Sequence, residues 1–182
     1  MTYLGKMLCF SLVGLIPVLP VLGAVTEPDK AAVVRSWMSI GGALLSFTIM
    51  AATGYALCPE GTPLSSQLLV ALPVGTVAAI TGGIAGRWIA DTVLRREPSR
   101  LLSPFLGAGL GALGSAVVGG ISFALAVAIA IPVVEADPGY WGPFNYPQAV
   151  GMGFLAGAFW GGVTGIPIGA LTVPIISIYM GY

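Results

Sequence analysis

The stretch GMGFLAGAFWGGVTGIPIGAL, residues 151–171, places a glycine at every fourth position five times in succession: Gly153, Gly157, Gly161, Gly165 and Gly169. In a water-exposed helix each glycine costs about 1 kcal/mol relative to alanine, so this spacing needs a compensating reason. A period of four places the glycines on one face of a helix. In lipid such a face lets two helix backbones approach closely. The stretch therefore predicts a membrane-embedded helix that packs through its glycines.

The same rhythm of small residues occurs in an earlier apolar segment. Its members are Gly107, Gly111, Ser115 and Gly119. Residues 71–86 repeat the pattern with alanine and glycine, and residues 42–54 show a weaker form. We interpret these small-xxx-small faces as contacts between helices. Two alternatives remain open, namely that they also receive another subunit, a pigment or a lipid tail, or that glycine backbone lines a pore.

The composition is that of a protein dissolved in a lipid bilayer. Hydrophobic residues make up 57% of the chain and charged residues only 8%, with a mean hydropathy of +0.97. A soluble domain carries about 25% charged residues, so these charges are too few to cover a water-soluble surface. The net charge is zero, and we therefore expect no nucleic-acid partner.

Charge-free runs of about 20 residues, the length needed to cross a bilayer, predict an all-α, polytopic integral membrane helical bundle. We expect a single transmembrane domain over residues 1–182, with five helices at about 7–25, 37–57, 66–93, 104–133 and 148–179. The first segment contains two prolines, so a re-entrant segment before four spanning helices is the alternative. It also resembles a signal peptide, although Leu22 fits poorly three residues before a cut following Ala24.

Positive charges predict the orientation in the membrane. Lys6 is alone on one side, whereas the other six basic residues fall in the two linkers on the opposite side: Lys30, Arg35, Arg87, Arg95, Arg96 and Arg100. Because basic residues concentrate on the cytoplasmic side, the N-terminus is expected outside and the C-terminus inside. The expected location is a bacterial-type inner membrane or an equivalent energy-transducing membrane.

The basic linker after the third segment predicts contacts with lipid or with a partner. Arg95, Arg96 and Arg100 are interpreted first as a topology signal and second as ligands for anionic headgroups. Arg87 and Asp91 stand four residues apart, a spacing that favours an ion pair at headgroup level. The alternative for this pair is a contact that binds a partner or takes part in gating.

The outer linker EADPGYWGPFNYPQ, residues 135–148, is rich in aromatic residues. They are Tyr140, Trp141, Phe144 and Tyr146. One interpretation is an aromatic belt at the lipid headgroups. The other is a partner-docking surface, since prolines stiffen the loop and lower the ordering cost of binding.

Cys9 and Cys58 are predicted near the outer surface, where an oxidising compartment would permit a disulfide. Two free thiols in apolar surroundings are the alternative. The chain has no histidine, which removes the commonest metal ligand and the imidazole base of a serine hydrolase. No enzymatic activity and no cofactor are predicted. Bound lipids are expected, and contact with a pigment or a quinone stays open because backbone ligation leaves no motif.

No carboxylate falls within the predicted hydrocarbon depth of the membrane, which disfavours ion-coupled transport. Together with the missing catalytic ligands and the small-residue faces, this predicts a non-catalytic accessory subunit of a larger membrane complex. Its partners would be other transmembrane subunits and lipids. The alternative is a small channel or transporter for a small or apolar solute, with Thr76, Thr81 and Thr164 along its path. A channel requires these hydroxyls to converge on a continuous cavity, whereas a subunit requires a small-residue groove for another chain.

Overall fold

The computed structural model describes residues 29–58, 61–133 and 145–181. Within these ranges the chain is helical, with α1 (Lys30–Ala56), α2 (Leu64–Arg96), α3 (Ser103–Val133) and α4 (Tyr146–Met180) joined by turns and short irregular segments. All four helices are long and apolar enough to cross a membrane, as expected of an all-α integral membrane bundle. The predicted first segment, residues 7–25, lies outside the described residues.

Two helices begin earlier than predicted because capping side chains extend them. Helix α1 starts at Lys30 rather than at residue 37, since the Asp29 carboxylate accepts hydrogen bonds from the backbone amides of Ala31 and Ala32 at 3.0 and 3.2 Å. Helix α4 starts at Tyr146 rather than at residue 148. There Asn145 and Gln148 form a reciprocal capping box. Helix α2 begins two residues earlier and ends three residues later than predicted, whereas α3 begins one residue earlier and ends at the predicted residue.

The four helices form two hairpins. Helices α1 and α2 pack along each other, as do α3 and α4, and the two hairpins are joined mainly by contacts between α2 and α3. Helix α1 touches α4 at few points. The fold is therefore closed on the α2–α3 side and open on the α1–α4 side.

Two apolar clusters hold the hairpins together at opposite ends. The basic-end cluster joins all four helices and contains Val34, Ala90, Val93, Leu110, Val173 and Ile176. The far-end cluster joins α1, α2 and α3 and contains Met50, Val70, Val74, Ala78, Val118, Ala126 and Ala130. Larger side chains such as Phe105, Phe159 and Trp160 point outward, which in lipid carries no cost because the tails are themselves apolar.

Candidate functional site

The two small-residue lines of α3 and α4 face each other along the hairpin. A Cβ atom added to Gly165 would meet the carbonyl oxygen of Gly111 and lie 2.7 Å from its carbonyl carbon. Such an approach is closer than any side chain permits, so backbone touches backbone. The facing pairs are Gly107 with Gly169, Gly111 with Gly165, Ser115 with Gly161, and Gly119 with Gly157.

Gly153 belongs to the predicted line but meets a different kind of neighbour. An added Cβ there would lie 2.9 Å from Cγ2 of Val127, a side-chain atom, and 3.4 Å from the carbonyl oxygen of Phe123. The backbones of α3 and α4 are thus in closest contact from Gly157 to Gly169. Towards the start of α4 a valine fills the space between them.

Helices α1 and α2 make an equally close contact, although the sequence shows a weaker pattern in α1. A Cβ atom on Gly86 would meet the carbonyl oxygen of Met38, and one on Gly82 would lie 2.5 Å from the carbonyl oxygen of Gly42. Gly54 continues the contact, with the Cα of Ala71 3.1 Å from an added Cβ. Each hairpin is therefore built on direct backbone contact.

Between the two hairpins lies a cavity of about 230 Å³, here called the central cavity. All four helices line it, and it extends from the basic end, at Val33 and Tyr179, to the far-end cluster, at Met50 and Val118. Most of its wall is apolar side chain and glycine. It lies on the side where α1 and α4 barely touch, so the bundle does not cover it fully.

The three threonines predicted along a solute path do not converge. Thr76 and Thr81 do not line the central cavity, and their hydroxyls donate to the carbonyls of Leu72 and Val77 in their own helix at 2.8 and 2.9 Å. Thr164 does line it, but its hydroxyl donates to the carbonyl of Trp160 at 2.9 Å. Such bonds satisfy a hydroxyl within its own helix, so these residues form no continuous polar path.

The ion pair at the basic end differs from the predicted one. Arg35 Nε donates to Asp91 Oδ1 at 2.7 Å, and the two side chains are 43% and 32% exposed. The predicted partner, Arg87, is exposed on α2. The structure therefore corrects the pairing: Asp91 joins α2 to α1 rather than stabilising its own helix. Arg35 and Asp91 are 56 residues apart, so no local spacing in the sequence predicts that they pair.

A second contact at the basic end joins α1 to α4. Lys30 Nζ donates to the carbonyl oxygen of Tyr179 at 3.5 Å and lies 5.5 Å from the centroid of the Tyr179 ring. Its distance from the ring is within the range of a cation–π contact. The basic linker beyond it is exposed, with Arg95, Arg96 and Arg100 at its surface.

The aromatic loop is only partly described. Tyr140, Trp141 and Phe144 lie outside the described residues, so the aromatic belt and the docking surface both remain predictions. Tyr146 opens α4, and its phenolic hydroxyl donates to the carbonyl oxygen of Ala128 at 3.0 Å. That bond ties the start of α4 to α3.

Cys58 follows α1 and is partly buried, with its Sγ donating to the carbonyl oxygen of Gly54 at 3.6 Å. It has no disulfide partner in the part of the chain that the structure describes, and Cys9 lies outside that part. Burial raises the pKa of the Cys58 thiol, which lowers the fraction of reactive thiolate near neutral pH.

We expect Cys58, in a Cys9→Ser variant, to be alkylated slowly near neutral pH. The alkylation rate should rise with pH, and the midpoint of that rise should lie above about 8.5, the pKa of an unperturbed thiol. A pH series of maleimide labelling rates measures this midpoint, and a midpoint at or below the ordinary value would contradict the burial. In the unsubstituted chain, labelling of Cys58 only after reduction would indicate the Cys9–Cys58 disulfide.

Among residues 29–58, 61–133 and 145–181, no group of three or more Cys, Asp or Glu side chains could hold a metal ion. The chain matches no protein-family model, no curated protein and no solved structure. The features of the structure that bear on function are the glycine contacts, the central cavity and the basic end.

Proposed function

We propose that this protein is a non-catalytic accessory subunit of a larger membrane complex, in which another transmembrane chain packs against the α1–α4 side. The observation that carries the proposal is the central cavity, which the four described helices line but do not cover. The apolar atoms that line an unfilled cavity have no dispersion contacts on the side that faces the empty space. Side chains of a helix from another subunit, packed over the open α1–α4 side, would restore these contacts.

The chemistry of the cavity wall supports a helix as the occupant. Gly41, Gly42 and Gly169 lie in the wall, next to medium-sized apolar side chains such as Leu45 and Ile168. Helices associate in membranes where small residues allow close approach. Gly42 and Gly169 already contact glycines of the neighbouring helix within their hairpins, so an incoming helix would meet mainly Gly41 and the apolar side chains of the wall.

The hairpins themselves fit the role of a rigid scaffold. We propose that the facing glycines of α3 and α4 form small-xxx-small contacts in the membrane. Because direct backbone contact cannot be adjusted by changing a rotamer, each hairpin would hold its outer faces in fixed positions. Those outer faces carry exposed side chains such as Phe154, Phe159 and Trp160, which lipids and neighbouring subunits would contact.

The charge distribution supports an orientation. Arg35 contacts Asp91 and Lys30 contacts Tyr179, so the start of α1 and the ends of α2 and α4 lie at the same end as the basic linker. Because basic residues concentrate on the cytoplasmic side of a membrane, we propose that this end faces the cytoplasm and that the membrane is a bacterial-type inner membrane or its equivalent. If residues 7–25 cross the membrane as predicted, the N-terminus is outside.

Photo-crosslinking tests the occupant of the cavity. We expect benzoylphenylalanine at Leu45 or at Ile168, one on each side of the cavity, to crosslink to the same second transmembrane chain in native membranes. Ile84 is the control position, since it is 66% exposed and does not line the cavity. Crosslinks to residues 7–25 of the same chain, or to lipid alone, would contradict the proposal.

The alternative function is a small channel or transporter for a small or apolar solute. One observation favours it: Thr164 and Thr172 both line the central cavity. Against it, the Thr172 hydroxyl donates to the carbonyl of Ile168 at 2.7 Å, and the cavity ends against the far-end cluster. Solute flux into liposomes that contain only this protein would establish the alternative.

A further inference from the structure

A second concavity lies on the outside of the bundle, between α2 and α3 at the basic end. Its volume is about 590 Å³, and we call it the arginine groove. One wall is the ridge of α2 that carries Trp88, Arg95 and Arg96, and the other is the ridge of α3 that carries Phe105, Gly109 and Leu113. It is separate from the central cavity, with which it shares no lining residue.

Helical spacing gives the groove its shape. Trp88 and Arg95 are two turns apart on one face of α2, and Phe105, Gly109 and Leu113 follow each other at intervals of four on one face of α3. The groove therefore runs along the bundle for about 12 Å. At its middle a Cβ added to Gly109 would have nothing within 4 Å, so the α3 wall is recessed there.

The two ends of the groove differ in chemistry. Arg95 and Arg96 are exposed at the end nearest the basic linker, whereas Trp88 and Leu113, 46% and 62% exposed, lie deeper in the membrane-spanning part. No carboxylate lines the groove among the residues that the structure describes. Of the nearby acids, Asp91 is bonded to Arg35. Glu97, which directly follows Arg96, is exposed at the end of α2 and does not line the groove. The groove thus offers positive charge at one end and apolar surface along the rest.

We propose that the arginine groove binds an anionic phospholipid of the leaflet at the basic end. Its phosphate lies against Arg95 and Arg96, and one acyl chain runs between Phe105 and Trp88 over the recess at Gly109. The proposal rests on the membrane placement of α2 and α3 and not on the accessory-subunit function. Either can fail without the other.

Charge complementarity and length favour a lipid over a protein helix. Juxtamembrane arginines attract anionic lipid, and basic pockets between helices bind its headgroups. A groove of about 12 Å matches less than half of a hydrocarbon core of about 30 Å. It therefore suits the upper part of an acyl chain but not a spanning helix.

Native mass spectrometry tests the site with defined lipids. The protein, in detergent, is mixed with phosphatidylglycerol or with phosphatidylcholine, and the bound fraction is measured for each. We expect Arg95→Gln with Arg96→Gln to lower retention of phosphatidylglycerol about 25-fold, since each arginine near the surface is worth about fivefold, and to leave retention of phosphatidylcholine unchanged. Arg87→Gln, at the same end but outside the groove, is the charge control.

A second variant tests the acyl chain without changing charge. Gly109→Leu fills the recess and should lower retention of both lipids, because it displaces the tail. Gly151→Leu is its matched control, since an added Cβ at Gly151 also has nothing within 4 Å. If Arg87→Gln lowered retention of phosphatidylglycerol as much as Arg95→Gln alone, the proposal would be overturned. Unchanged retention of both lipids in Gly109→Leu would overturn it as well. Release of a protein, not of lipid, by Gly109→Leu would also overturn it.

Discussion

Replacing Gly157 with leucine is expected to break the contact between α3 and α4. A Cβ atom at this position would meet the carbonyl oxygen of Gly119 and lie 2.5 Å from the Cβ of Phe123. Overpacking a core typically costs about 1–3 kcal/mol and occasionally more. Because the obstacle here is backbone, which has no alternative rotamer, we expect a loss of about 3 kcal/mol or more.

Unfolding of the purified variant in detergent, followed by circular dichroism, measures this loss. Gly151→Leu is the matched control in the same helix, because an added Cβ there has nothing within 4 Å. Since leucine also has the higher helix propensity, this control should be neutral or slightly stabilising. If Gly157→Leu were as stable as Gly151→Leu, the close contact of α3 with α4 would be wrong.

Replacing Gly86 with alanine is expected to destabilise the α1–α2 hairpin through a single methyl group. The added carbon would meet the carbonyl oxygen of Met38 and lie 2.8 Å from its carbonyl carbon. The helices must therefore separate, which weakens the neighbouring contact between Gly42 and Gly82. We expect a loss of about 2 kcal/mol or more, within the range of overpacking.

Gly83, one turn earlier on α2, provides a control for the same substitution. An added Cβ would lie 3.4 Å from the carbonyl oxygen of Ser39, an ordinary contact. Alanine also has the higher helix propensity by about 1 kcal/mol, so Gly83→Ala should be neutral or slightly stabilising. Thermal unfolding of the two variants side by side should separate them, and equal melting temperatures would contradict the described α1–α2 contact.

The four helices could be predicted from the sequence because long charge-free apolar runs are a local property of the chain. Four of the five predicted segments correspond to α1–α4, since charge-free apolar runs of spanning length leave few alternatives in lipid. The line from Gly157 to Gly169 marks a face of α4 by its period alone. The weaker pattern in α1 understated its contact, because Gly42 lies against Gly82 without a long glycine line of its own.

The helix starts and the ion pair could not be read in the same way. The side chain of Asp29 caps the start of α1 inside a polar linker. Hydropathy does not mark a helix start in such a linker. Asp91 has Arg87 at a favourable helical spacing, yet it pairs with Arg35. Only the packing of α1 against α2 brings Arg35 within reach, and that packing is a tertiary property.

The central cavity and the arginine groove depend on how the hairpins sit together. The cavity exists because α1 and α4 barely touch, and no residue pattern in either helix records a missing contact. The sequence places Arg95 and Arg96 together at the basic end of the groove, and their contact with lipid stays a prediction. The apolar part of the groove has no signal in the sequence, because Trp88 lies near Gly109 and Leu113 only when α2 packs beside α3.

The most direct test of the accessory-subunit function is the mass and composition of the native assembly. The protein is purified from its own membrane in mild detergent, the mass of the particle is determined, and every co-purifying chain is identified. The account predicts a particle of defined stoichiometry that contains other transmembrane chains. A lone monomer, or an oligomer of this chain alone, would contradict it and would direct attention to solute flux through the central cavity.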